Sequence, residues 1–381
     1  MDFTLLQKVK VLAAPGCVAE CGGILRDAGY AKALLVCDGG VKAAGIADRV
    51  IESLEAAGLK YAMFDRVQPD PPAEIVAEGE RLCRDEACDC IVALGGGSSI
   101  DTAKGINLLR FNEGDILSCA VPGRVIKPTR GLLAIPTTAG TGSELSHALV
   151  ISDTANRSKV TIISYDAMCE YALLDPELTV GMPRQLTLAT GLDVFSHACE
   201  AYTSVLSSPM SDMICEKVME SVCEYLPVVC QEGGNLEARG RMLASASLGG
   251  WLLALAAAHV GHSMAHVIGS RLHMPHGRAC AYAAPVMLEF IAPAVPARVK
   301  KTGLILGAGF SGTESPEEIG AKTSAAYRNF VYNTLGLEPL NVRGADIEEL
   351  AGEVAREPLA ALCPRAVNHE DALVMLKGIF A

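Results

Sequence analysis

An α/β amino-terminal half followed by an all-helical carboxy-terminal half is the architecture this chain predicts, and three observations carry it. Up to about residue 180, apolar runs of strand length alternate with helix-like stretches, as in a mostly parallel sheet. From about Met182 onward the strand signals fade, and Ala, Leu and Glu recur at helical spacing. The third observation is IVALGGGSSIDTAK at 91–104, where a short apolar run leads through three glycines and two serines into a helix-compatible stretch. Two domains are expected, 1–181 and 182–381, with no linker, repeat or low-complexity tract between them and a small-ligand cleft where they meet.

In order, ALLVC (33–37), YAMFD (61–65), CIVAL (90–94) and LLAIP (132–136) predict four strands. LVISD and KVTIIS, at 149–153 and 159–164, flank the polar TANRS and predict a hairpin over the Gly-rich loop. In the second half Pro183 and Gly191 punctuate a helical region, and WLLALAAAHVG at 251–261 is too short to span a bilayer and reads as a buried helix.

The Gly-rich turn suits a diphosphate, because Gly96 and Gly97 let the backbone approach phosphate oxygens and the amides from Ser98 onward open a helix. Its spacing is not the usual dinucleotide fingerprint, so a plain tight turn is the competing reading. IPTTAGTGSE at 135–144 adds a second strand-to-loop passage dense in small hydroxyl and amide donors. Asp38 ends the run ALLVCD, where a carboxylate would accept hydrogen bonds from a ribose and repel a 2′-phosphate, or would simply open a turn.

Five of the eight histidines fall between His259 and His276. Asp193 and His197 precede them, four residues apart in a stretch without Gly or Pro, so both side chains lie on one helical face. His262 and His266 repeat that spacing, and His276 follows in a Pro-His-Gly turn able to re-aim a ligand. Imidazoles with one carboxylate suit a divalent first-row ion such as iron or zinc. By spacing alone, three histidines compete for the two remaining places.

A net charge of −12 argues against nucleic acid or anionic lipid as a partner. No basic segment followed by an apolar stretch opens the chain, so export is not expected. The fourteen cysteines form no paired framework and read as reduced, buried residues of a cytoplasmic protein.

The motifs PTTAGTGSE, GGGSSID, DPELT (175–179), GLDVFSHACEAYTS and HSMAHVIGSRLHMPHG stand in the order found in the iron-dependent (group III) alcohol dehydrogenases, and the chain resembles that family from end to end. The resemblance implies a Rossmann-like dinucleotide-binding domain and a helical domain in a dehydroquinate synthase-like architecture, with a metal in the cleft. It places Asp193, His197, His262 and His276 on the metal-ligand positions and His266 near nicotinamide and substrate, as a candidate proton relay. Gly96, Gly97 and Ser98 match diphosphate contacts, Asp101 the acidic residue after them, and Thr137 and Thr138 the next cofactor loop. Lys159 and Leu178 match further cofactor positions, Asp38 the residue of NAD-preferring members, and CPRAVNHED a carboxy-terminal segment of the NPR type. The implied cofactors are NAD(H) and Fe2+, with Zn2+ as the alternative. The implied substrate is a small alcohol or aldehyde, and the implied state a homodimer or larger homo-oligomer.

His147, His259 and Arg278 depart from the family pattern and add potential cations, which raises the expectation of an anionic group on the substrate. Two other readings stand beside the leading one. One is a zinc-dependent polyol dehydrogenase of the glycerol type; the other is a non-catalytic scaffold that retains the fold, against which the intact ligand set argues.

Overall fold

KALLVCD, CIVALG and LLAIP are apolar throughout their interiors because both faces of the strands they form are covered, and each strand is buried along its centre. The computed structural model describes residues 5–156, 158–341 and 346–380. Its strands are β1 (Lys10–Ala13), β2 (Lys32–Asp38), β3 (Lys60–Val67), β4 (Cys90–Gly95), β5 (Leu132–Pro136), β6 (Ala148–Asp153), β7 (Ser158–Ile163) and β8 (Tyr171–Leu174). Six of them pair in parallel in the order β1-β8-β5-β4-β2-β3. On one face Leu35, Val92, Leu94, Leu133, Ile135 and Leu173 pack with Val50 and Leu54. Each such side chain contributes roughly 1.5–3 kcal/mol by leaving water.

β6 and β7 form the predicted antiparallel hairpin. Its start is tied to the helix Gly97–Phe111: the Val150 amide donates to Asp101 at 2.9 Å, and the buried Lys104 ammonium donates to the carbonyls of Ser146 and Ala148 at 2.8 and 2.9 Å. β1 and β8 were not among the predicted strands. Each has four residues; β1 is exposed at all four, so no apolar alternation marks it, and β8 runs straight into the turn at Asp175.

From Met182 onward the described residues form helices and no strand, among them Arg184–Thr203, Pro209–Gln231, Leu236–Leu255, Val260–Leu272 and His276–Ile291. The run 251–261 is not the single buried helix expected. One helix stops at Leu255, another starts at Val260, and their axes differ by 110°. Ala257 lies between them at φ 56, a left-handed conformation in which a right-handed helix cannot continue. His276 likewise opens a helix as its first residue and does not sit within a turn. By internal packing the chain divides into Leu6–Gly181 and a unit that runs from Met182. No single described helix is long and apolar enough to cross a membrane.

Candidate functional site

β4 ends at Gly95 with φ 145, a backbone conformation that L side chains rarely adopt, and its carbonyl accepts the Thr137 amide at 3.0 Å. The two glycine-rich passages therefore lie side by side. A Cβ on Gly96 would come within 3.2 Å of Thr138 Oγ1, and one on Gly97 within 2.7 Å of Thr141 Cγ2. The helix Gly97–Phe111 starts there, and its first amides have no intrahelical acceptor. Asp38 stands next to this loop: its Oδ1 caps a short helix through the amides of Gly40 and Val41, and its Oδ2 lies 3.6 Å from where a Gly95 Cβ would be. The turn-opening role weighed against cofactor contact is thus present, with one oxygen left over.

Asp101 faces inward. It accepts from the Ser143 hydroxyl and the Val150 amide, so it positions the loop that precedes β6. Burial pushes its carboxyl up, and Lys104, Ser143 and Val150 only partly oppose that. Thr137 is buried, and Ser98 and Thr138 are half-buried. Leu178 is part of the apolar core beside the sheet, and Lys159 is exposed and paired with Asp70 at 2.6 Å. A cavity of about 680 Å³ beside Arg84, Arg110 and Lys127 contains none of these residues.

In the helical unit, Asp193 and His197 share the helix Arg184–Thr203, four residues apart and both buried. Asp193 Oδ1 lies 3.7 Å from His197 Nε2, 3.8 Å from His262 Nε2 and 3.4 Å from His276 Nε2. Donors about 2.1 Å from one ion in a tetrahedral arrangement stand ~3.4 Å apart, so each of these imidazoles lies near donor separation from Asp193. The donor atoms of Asp193, His262, His276 and Cys280, the last one helical turn after His276, all lie within 4.8 Å of one another, a group that does not include His197.

Glu200, a residue the sequence did not single out, fixes this arrangement. Its Oε1 is 2.6 Å from His262 Nδ1, and its Oε2 accepts the amides of His259 and His262 at 2.8 and 3.0 Å. The contact at Nδ1 leaves Nε2 of His262 turned toward Asp193, the orientation a metal-binding imidazole needs. Gly261 is what admits the carboxylate, because a Cβ there would sit 2.5 Å from Oε1. Burial pushes the Glu200 carboxyl up, but the charge and hydrogen bond of His262, with His259 behind them, outweigh it and hold the group at about 2.

Burial also pushes the Asp193 carboxyl up, and His197, His276 and His262 overcome it and hold it below its ordinary value. His197 is lowered and His276 is brought down to about 3, chiefly by burial and against the pull of Asp193. Both are therefore neutral at pH 7, the form in which imidazole binds a metal. The donors present fit a divalent ion.

His266 lies one turn beyond His262, half exposed, with its Nδ1 2.9 Å from Glu357 Oε1. Glu357 also accepts the Ser263 hydroxyl at 2.8 Å and the Leu359 amide at 2.7 Å. Burial pushes the Glu357 carboxyl up; the hydrogen bond and charge of His266 reverse this and hold it low.

This donor set and the paired glycine loops coincide with sequence relationships that cover the chain. The profile of iron-containing alcohol dehydrogenases matches residues 9–176, and that of the family's carboxy-terminal part matches 187–380. The chain belongs to the iron-containing alcohol dehydrogenase family. It is 34% identical over 365 residues to the NAD-dependent methanol dehydrogenase of Bacillus methanolicus, covering 95% of this chain and 96% of that protein. A crystal structure of 1,3-propanediol oxidoreductase superposes with a TM-score of 0.94 at 30% identity over 100% of both chains. Sulfoacetaldehyde reductase from Bifidobacterium kashiwanohense, in complex with NAD+, superposes with a TM-score of 0.89 at 25% identity, covering 100% of this chain and 99% of that one.

Membership makes the chain an oxidoreductase of the alcohol dehydrogenase type, and the Bacillus methanolicus relative is named as NAD-dependent. Two of the three departures from the alcohol dehydrogenase pattern supply no charge. His259 is fully buried, its Nε2 2.8 Å from the Thr203 hydroxyl, and burial takes it down to about 4. His147 is buried against Tyr165 and is likewise lowered to about 4, by burial and then by Lys104. Arg278 keeps its guanidinium, with one hydrogen bond to the Tyr282 hydroxyl at 3.1 Å.

The His147 shift predicts a pH dependence of folding. Because the folded value lies below the ordinary 6.5, the unfolded chain takes up the proton first as pH falls. Stability from this group is intact above pH 6.5 and is lost progressively as pH falls toward about 4. At ~1.4 kcal/mol per pH unit the loss approaches roughly 3 kcal/mol. Urea unfolding at pH 7 and pH 5 should therefore show a smaller decline for His147→Leu than for the parent; parallel declines would remove His147 as a cause.

Proposed function

We propose that the chain interconverts a small primary alcohol and its aldehyde with NAD(H), using a divalent iron ion held by Asp193, His197, His262 and His276. The gathering of three imidazole nitrogens within 3.8 Å of one buried carboxylate oxygen carries the reading. In this reading residues 1–181 hold the dinucleotide and 182–381 hold the ion. A bound divalent ion supplies Lewis acidity toward a carbonyl or alcohol oxygen.

The chain's own groups do the rest. The amides after Gly96, with Gly97 and Ser98, receive the diphosphate, and Thr137 and Thr138 border it. Asp38 favours NAD over NADP, since a carboxylate beside the ribose would repel a 2′-phosphate. His266 takes up or releases a proton at Nε2 while Glu357 accepts from Nδ1 and fixes the ring. Replacing Glu357 with Gln keeps an acceptor for Ser263 and Leu359 but loosens the imidazole. The expected result is a fall in kcat of about tenfold, below the ~10²-fold of a full acid–base contribution because the imidazole itself remains, with KM for NADH and the melting temperature little changed. An unchanged kcat would exclude Glu357 as the group that positions the relay.

A zinc ion with a polyol substrate is the second reading, and the soft Sγ of Cys280 beside the imidazoles supports it. An anionic aldehyde now rests on Arg278 alone among the three departures. The unpaired edge offered by β1, exposed along its length, supports a homo-oligomer, and the fourteen free cysteines support a reducing, cytoplasmic setting. The deciding experiment mixes metal-stripped protein, reloaded with Fe2+ or Zn2+, with NADH and aldehydes, neutral and acidic at equal length, or with NAD+ and polyols. Aldehyde reduction restored by Fe2+ supports the proposal. Failure on every aldehyde, alcohol and polyol with metal bound would return the chain to a scaffold role.

A further inference from the structure

We propose that Cys280 is a fifth protein ligand of the metal, and that its thiolate makes this centre softer than four nitrogen and oxygen donors would. The proposal rests on the metal-binding reading of Asp193, His197, His262 and His276.

His276 and Cys280 are four residues apart on the helix His276–Ile291, so both side chains leave the same face. The sulfur lies 3.5 Å from Asp193 Oδ1, 3.6 Å from His276 Nε2 and 3.9 Å from His262 Nε2. In a five-donor shell, where neighbouring bonds meet at about 90–120°, a sulfur about 2.3 Å and a nitrogen or oxygen about 2.1 Å from the ion stand ~3.1–3.8 Å apart. Cys280 therefore stands at donor separation from Asp193 and His276, with His262 just beyond it.

Its surroundings agree. Cys17, Cys83 and Cys90 lay their thiols against backbone carbonyls, as small packed residues do. Cys280, 1% exposed, faces a carboxylate and two imidazole nitrogens instead. On coordination the S–H bond is replaced by a sulfur–metal bond and the proton leaves to solvent; no electron is transferred. Thiolate donors favour zinc over harder ions, so metal choice in this chain depends on residue 280 as well as on the four other ligands.

The test uses the full chain, stripped of metal and titrated with Co2+ under anaerobic, reducing conditions. The parent should bind one equivalent with visible ligand-field bands and a near-ultraviolet thiolate-to-cobalt charge-transfer band. Cys280→Ser and Cys280→Ala should keep the visible bands and lose the charge-transfer band. In chelator competition they should bind zinc at least about tenfold more weakly, since losing a direct ligand costs no less than losing a group that supports one. Visible bands without charge transfer in the parent, or a charge-transfer band that survives in both variants, would overturn the assignment while leaving the metal centre in place. Absence of cobalt binding would overturn both. The parent spectrum decides the matter even if neither variant folds.

Discussion

His262→Ala is expected to abolish turnover and to destabilise the metal-free chain by about 3 kcal/mol, whereas His276→Ala should abolish turnover with little change in stability. Both lose an imidazole whose Nε2 is within 3.8 Å of Asp193. Lewis acidity worth several kcal/mol, at ~1.4 kcal/mol per decade, corresponds to a fall of about a thousandfold or more in kcat/KM in each case. The stability effects differ because of Glu200. His262 is the side chain that neutralises this 2% exposed carboxylate, at 2.6 Å, and removing it strands a buried charge. Burial disfavours the charged imidazole, yet Cys280 and Glu200 beside it raise His262 well above its ordinary value. The Cys280 thiol is itself pushed up to about 12 by burial and is neutral at pH 7, so Glu200 is the anion that matters. His276 is neutral at pH 7 and neutralises no second buried acid. Urea unfolding of the two metal-free variants, with turnover measured in parallel, separates these roles. Equal stability losses would show that Glu200 does not depend on His262.

Legibility in the sequence followed how local the cause was. The four long strand runs and the hairpin read correctly because an apolar run of five or more residues between turn signals has few other uses. β1 and β8 escaped because four residues carry no periodicity, and the pairing that makes them strands comes from distant partners: Lys10–Ala13 bonds to Tyr171–Leu174. The break after Leu255 escaped for a related reason. Nothing in LLALAAAH is a helix breaker; the chain turns because Ala257 takes a positive φ and Glu200, nearly sixty residues earlier, captures the His259 amide. Around the proposed metal site, the pairs at spacing four are visible, Asp193 with His197 and His262 with His266. The same spacing joins His276 to Cys280, but one cysteine among fourteen scattered along the chain carries no signal that sets it apart. Glu200 and Glu357 carried no local signal at all, since each acts on a histidine more than sixty residues away in sequence.

Gly277→Ala, a change of one methyl group, should cost about 3 kcal/mol and, with metal restored, roughly a hundredfold in turnover. Gly277 lies between His276 and Cys280 at the start of their helix, where that helix meets Arg184–Thr203. A Cβ there would be 1.9 Å from the carbonyl oxygen of Ala189, 2.7 Å from its carbon and 3.2 Å from Asp193 Cβ. The first two are backbone atoms inside a helix and cannot rotate away, so the helices must part by about 1.5 Å to reach ordinary contact. That displacement carries His276 and Cys280 away from Asp193 and falls on the distances that define the proposed metal centre. A misplacement of about 1 Å is enough to cost two orders of magnitude in rate. Gly23→Ala is the control: it sits in the helix Cys21–Asp27 with nothing within 4 Å of the added carbon, and it should be neutral or slightly stabilising. Thermal melts and metal stoichiometry of the two variants test the argument. A Gly277→Ala protein with parental melting temperature and full metal occupancy would mean that this helix contact is loose enough to absorb a methyl group, and that the donor spacing does not depend on it.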